Sequence, residues 1–112
     1  MKLGIVRCAQ TEEVCPGSKD FQALREKTGV FAKVDDAIEL VGFTTCGGCP
    51  GKKAVFRAKS LVAAGADTIA FASCITKGTP IGYPCPFAKR MIAAVEGNVE
   101  EGVEVLDYTH GW

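Results

Sequence analysis

The sequence predicts an α/β fold: a four-stranded parallel sheet in the flavodoxin-like order 2-1-3-4, with helices on both faces. Three observations carry this. Strand-like and helix-like segments alternate along the chain, as βαβ units require. Two strand-like runs, 2–7 and 67–73, are almost wholly apolar, as strands covered on both faces are. The other two, 38–43 and 103–108, carry charges, which suits edges. Apolar strands at the centre and charged ones outside give 2-1-3-4, with the winding reversing between the first and third strands.

Each element has its own signal. "KLGIVR" (2–7) is a short apolar run ending at Cys8. "SKDFQALREKTG" (18–29) offers Ser18 as an N-cap, Phe21, Leu24 and Thr28 at helical spacing, and Gly29 as a stop. "VFAKVDD" fits either a last helical turn or an irregular link. "IELVGF" (38–43) alternates loosely and carries Glu39. After Pro50, "GKKAVFRAKSLVAAG" sets Ala54, Val55, Ala58, Leu61 and Val62 on one stripe and stops at Gly65. "DTIAFAS" (67–73) is the second apolar strand. A loop rich in Gly and Pro leads to "PFAKRMIAAVEG", with Phe87, Met91, Ile92 and Val95 on one face. "VEVLDY" (103–108) alternates as a half-covered strand does.

The 112 residues predict one domain, 1–112, large enough for its own core. Hydrophobic residues at 47% and charged ones at 23% place the chain among ordinary globular proteins. Its formal net charge is zero, so no basic field draws it to nucleic acid or anionic lipid. No apolar run is long enough to span a bilayer or form a signal-peptide core, and a cytoplasmic location is expected. Six cysteines in a reducing compartment point to metal binding or thiol chemistry rather than disulfides.

The placement of those cysteines is the strongest signal. Cys8, Cys46 and Cys74 each fall just past the end of a predicted strand. Cys15, Cys49 and Cys85 each precede a proline. Proline favours the first position of a helix, which predicts these three thiols at helix N-termini. There the partial positive charge and free N–H groups favour thiolate. His110 follows the last strand. All seven are expected on one rim, where parallel strands lie ~4.8 Å apart and side chains can converge on a metal at Zn–S distances of ~2.3 Å. Any one cysteine alone is adequately explained as a core residue; six on one rim are not.

"CGGCPGKK" also invites comparison with phosphate loops, and two matches fail. A Walker A loop needs glycine at position 46 and Ser or Thr at 53, where this chain has Cys46 and Lys53. A phosphatase-type Cys-x5-Arg loop would need arginine where Lys52 stands. Lys52, Lys53, Arg57 and Lys59 are expected to form a solvated helix face.

"ELVGFTTCGGCPGKK", then "SCITKGTPIGYPCP" and a terminal Thr-His, resembles the CGGC-domain family over essentially the whole chain. By position the motif residues are Cys46, Gly47, Gly48 and Cys49. The resemblance implies metal binding through cysteine and histidine, without naming the metal. Thiolate-rich sets favour zinc, or alternatively an iron–sulfur cluster. A second reading makes Cys46-x-x-Cys49 the dithiol of a thiol–disulfide or sulfur-transfer enzyme, with Cys46 attacking and Cys49 resolving. Any small-molecule or redox-protein partner is left open by the residues.

Overall fold

The computed structural model describes residues 1–82 and 84–111. Its elements are β1 (Lys2–Arg7), α1 (Ser18–Glu26), β2 (Glu39–Thr45), α2 (Ala54–Ala63), β3 (Thr68–Phe71), α3 (Ser73–Thr76), α4 (Ala88–Glu96) and β4 (Glu104–Leu106). All strand pairs are parallel and their order is β2-β1-β3-β4. The sheet therefore has the expected 2-1-3-4 order. In β1, Leu3, Ile5 and Val6 are fully buried, and all four residues of β3 are buried. Each large aliphatic side chain removed from water in this way contributes about 1.5–3 kcal/mol.

Successive side chains on a strand point to opposite faces, and β2 shows what covers each. A Cβ on Gly42 would lie 2.3 Å from Leu61 Cδ2, so α2 presses directly on that face. The next residue, Phe43, stacks on Phe21 of α1 with ring centroids 5.1 Å apart. Helices α1 and α2 thus cover opposite faces, and α4 packs beside α2.

The boundaries differ from the sequence reading in instructive ways. Ser18 is the first helical residue rather than the cap, because Gly17 at φ 83° turns the chain into α1. The helix stops at Glu26, not Gly29. Lys27 takes the left-handed conformation at φ 51°, and its ammonium binds the carbonyls of Asp35 and Asp36 at 3.2 and 2.8 Å. Thr28 therefore lies outside the helix, and Gly29–Phe31 form a 3₁₀ turn. Strand β2 runs on to Thr45 because β1 continues to Arg7 and pairs with it. The apolar run 67–73 is strand only over Thr68–Phe71, and α3 begins at Ser73. Apolarity alone does not separate a buried strand from a buried helical turn. Strand β4 is limited to Glu104–Leu106. Among the described residues, no helix is long and apolar enough to cross a membrane.

Candidate functional site

Because the strands are parallel, their carboxyl ends share one edge of the sheet. Cys8 directly follows β1, Cys46 directly follows β2, and Cys74 lies within α3 just after β3. Two bonds carry the ladder past the strand ends: Cys46 N–H to the Arg7 carbonyl at 2.8 Å, and Ala72 N–H to the Val6 carbonyl at 2.9 Å. All six cysteines are free thiols.

The proline signal placed the other three cysteines wrongly. Helices α1, α2 and α4 begin at Ser18, Ala54 and Ala88, so Cys15, Cys49 and Cys85 sit three, five and three residues ahead of them. Pro16, Pro50 and Pro86 belong to the loops. Gly17 intervenes in the first loop and a turn closed by Gly51 N–H on the Gly48 carbonyl (2.8 Å) in the second. In the third, Phe87 at φ −100°, ψ 3° caps α4. Thiolate stabilisation by a helix start is therefore not available to Cys15 and Cys49, while Cys85 has only the N–H of Phe87, the cap of α4.

Four cysteines nevertheless meet. Cys8, Cys49, Cys74 and Cys85, with Gln10, Ile81, Pro84 and Pro86, line one cavity of about 190 Å³. Its walls are almost entirely carbon and sulfur. The Cys8 N–H donates to Cys74 Sγ at 3.2 Å, and the Phe87 N–H donates to Cys85 Sγ at 3.4 Å. Burial pushes the Cys74 thiol up, against the Cys8 N–H and Thr11 hydroxyl, which favour its thiolate. Cys85 is likewise pushed up by burial, and next by the neighbouring Cys49, Cys8 and Cys46, while the Phe87 N–H opposes the shift. These two thiols are neutral at neutral pH, so a metal must displace their protons. Among the described residues, no three His, Cys, Asp or Glu side chains are already drawn into ligand geometry.

The loop Cys46–Gly51 edges this cavity, and its glycines are required by geometry. Gly47 has φ 84°, and a Cβ there would lie 2.6 Å from Lys53 Cβ. The Gly47 N–H binds Thr45 Oγ1 at 3.1 Å. Arg57 holds the same threonine, donating to Thr45 Oγ1 at 2.8 Å and its carbonyl at 3.3 Å. Arg57 thus clamps the base of the loop rather than standing on a solvated face as its lysine neighbours suggested.

A family model for the CGGC domain matches residues 2–110. The chain belongs to the CGGC-domain family. Among curated relatives, Uncharacterized protein MJ0582 of Methanocaldococcus jannaschii is 43% identical over 93 residues, covering 78% of this chain and 69% of its own. Uncharacterized protein MJ0766 of the same organism is 34% identical over 67 residues, covering 59% of this chain and 92% of its own. No solved structure matches the chain.

In this CGGC domain the remaining candidates stand apart from the four-thiol cavity. Cys46 is buried and lines neither that cavity nor the next one. Cys15 and His110 line a second cavity of about 250 Å³, with Val14, Pro16, Ser18, Lys19, Thr79 and Pro80. Thr79 and Pro80 line the second cavity, and Ile81, Pro84, Cys85 and Pro86 the first. His110 Nε2 lies 3.6 Å from the Asp20 carboxylate.

Sequence reasoning missed what holds His110 in place. The Ser73 hydroxyl donates to the His110 carbonyl at 2.6 Å and accepts from the N–H groups of Thr109 (3.1 Å) and His110 (2.9 Å). Thr109 in turn donates to Asp20. Behind them the buried Arg7 guanidinium donates to the Cys15 carbonyl and lies 5.8 Å from the centre of the Phe43 ring. In the sequence, this network left as its trace the terminal Thr-His and Arg7, a charge closing an apolar strand.

Proposed function

We propose that this CGGC domain binds a soft metal ion, zinc, through Cys8, Cys49, Cys74 and Cys85, in a reducing cytoplasm that keeps the thiols free. One observation carries the reading: four cysteines from three separate connections line a single cavity, with no carboxylate among its lining residues. Sulfur donors select zinc or iron–sulfur centres over magnesium and calcium, and four thiolates complete a tetrahedral zinc or hold a cluster. Cys46 lines no part of that cavity, and Cys15 and His110 line a different one. The dithiol alternative fits the loop poorly. Its attacking cysteine, Cys46, is buried, whereas Cys49 is the exposed one, which reverses the required order.

Elemental analysis and absorbance of protein purified anaerobically without chelator test the reading. Zinc near one equivalent without visible colour is expected, whereas brown absorbance with iron would replace zinc by a cluster. Less than about a tenth of an equivalent of either would overturn metal binding (an order-of-magnitude threshold, since structural sites bind tightly).

A further inference from the structure

We propose that three of these thiols form a preset cradle and the fourth moves: Cys8, Cys74 and Cys85 are fixed, while Cys49 closes on the ion last and releases it first to an acceptor thiol. The inference rests on the metal-binding reading above and assigns each thiol a part in it.

The fixed three are tied to one another around α3. Cys8 continues the central strand; its carbonyl accepts the Thr11 hydroxyl at 3.2 Å and its N–H holds Cys74 Sγ at 3.2 Å. Cys74 is 6% exposed within α3. Cys85 is joined to that helix by its N–H, which bonds the carbonyl of Ile75, the residue after Cys74, at 2.8 Å. Moving any of the three would break backbone bonds.

Cys49 differs on every count. It is exposed, and among the described residues no hydrogen bond holds its amide or its thiol. The loop is pinned on either side of it. Arg57 and Thr45 hold its start, and Gly51 is buried with room for a Cβ only 3.1 Å from Met91. Between those pins Gly48 has φ 102°, and a Cβ there would meet nothing within 4 Å. Among the described residues the hydrogen bond on the tip Gly48–Cys49 is that of the Gly51 N–H to the Gly48 carbonyl, so Cys49 can close on an ion in the cavity it already lines at the expense of that bond at most, without disturbing β2 or α2.

Transfer is a ligand exchange. An incoming thiolate forms its bond to the ion as the bond to Cys49 sulfur breaks; Cys49 takes up the proton the acceptor released, and no electrons change hands.

The test follows each cysteine by mass spectrometry during iodoacetamide treatment of the wild-type protein, with and without one equivalent of Zn²⁺. In the free protein Cys49 should react at least about tenfold faster than Cys8 or Cys74, and zinc should slow it at least about tenfold, because exposure governs access to the thiol. Stopped-flow transfer of zinc from the wild type to dithiothreitol should rise in proportion to dithiol concentration, as an incoming thiolate taking the place of Cys49 requires. Stoichiometric zinc with unchanged Cys49 alkylation, or a transfer rate independent of dithiol concentration, overturns the inference and leaves metal binding standing. A wild-type protein that takes up no zinc overturns both.

Discussion

Asp20 is buried in the first turn of α1, where a bare carboxylate would be costly. Burial pushes its carboxyl up from the ordinary range, while the Thr109 hydroxyl, His110 and Arg7 pull it back without cancelling the shift. The folded protein therefore holds this proton to higher pH than the unfolded chain does. Its contribution to stability is full below the ordinary carboxylate range, about pH 4, and is lost as pH rises through the folded value. Asp20→Asn has no charge to desolvate, so urea unfolding should show the stability of wild type falling relative to the variant as pH climbs from about 4. A difference that stays flat with pH would refute this. Arg57 makes a second case at this scale. Arg57→Ala removes the bonds to Thr45, and we expect a loss of about 1–3 kcal/mol in denaturant unfolding, the range for hydrogen bonds to charged groups. Zinc affinity should weaken with the fold retained, since the clamp holds the start of the Cys49 loop.

Between elements, the contact of α2 with the sheet depends on two glycines paired across β1 and β2. Gly4 lies opposite Gly42, and Leu61 fills the space that side chains would take at both. Gly42→Ala would place a methyl 2.3 Å from Leu61 Cδ2, and overpacking of this kind costs about 1–3 kcal/mol. Leu61→Ala removes the obstruction at its own cost of about 2–5 kcal/mol. In a double-mutant cycle Gly42→Ala should then be much less destabilising in the Leu61→Ala background than alone. Additive effects would mean that this helix–sheet contact is not what requires glycine.

For the whole molecule, the core stands without the thiol cavity. Leu3, Ile5, Val6, Ile69 and Phe71 are fully buried, and the four strands form one hydrogen-bonded sheet. Chelator-treated protein should therefore keep its circular dichroism and unfold cooperatively, unlike a zinc finger. Replacing Cys46 and Cys49 together by serine should abolish stoichiometric zinc binding and leave a folded domain, because serine is a poor ligand for soft metals. Circular dichroism and metal titration of the double variant check both halves. Loss of cooperative unfolding would make the site structural, and full zinc occupancy would remove the loop from it.

Strand order was legible in the sequence because it follows from a composition contrast: apolar runs at 2–7 and 67–73 demand two covered faces, while Glu39 and Glu104 mark the edges. The stripe of α2 and the Cys46–Cys49 motif were legible for the same local reason. Helix starts were not. Three Cys-Pro pairs look alike as dipeptides, yet Gly17, the turn at Gly48–Gly51 and the cap at Phe87 delay each helix by a different path. The one-turn α3 was hidden inside an apolar run. Only tertiary structure divided the seven candidate ligands into a four-thiol cavity, a buried Cys46 and the Cys15–His110 pair. That division depends on contacts such as Ser73 to Thr109 and Cys8 to Cys74, 36 and 66 residues apart. A periodic pattern reports what a residue's near neighbours require; which loops share a wall is decided by parts of the chain that meet only once the sheet has formed.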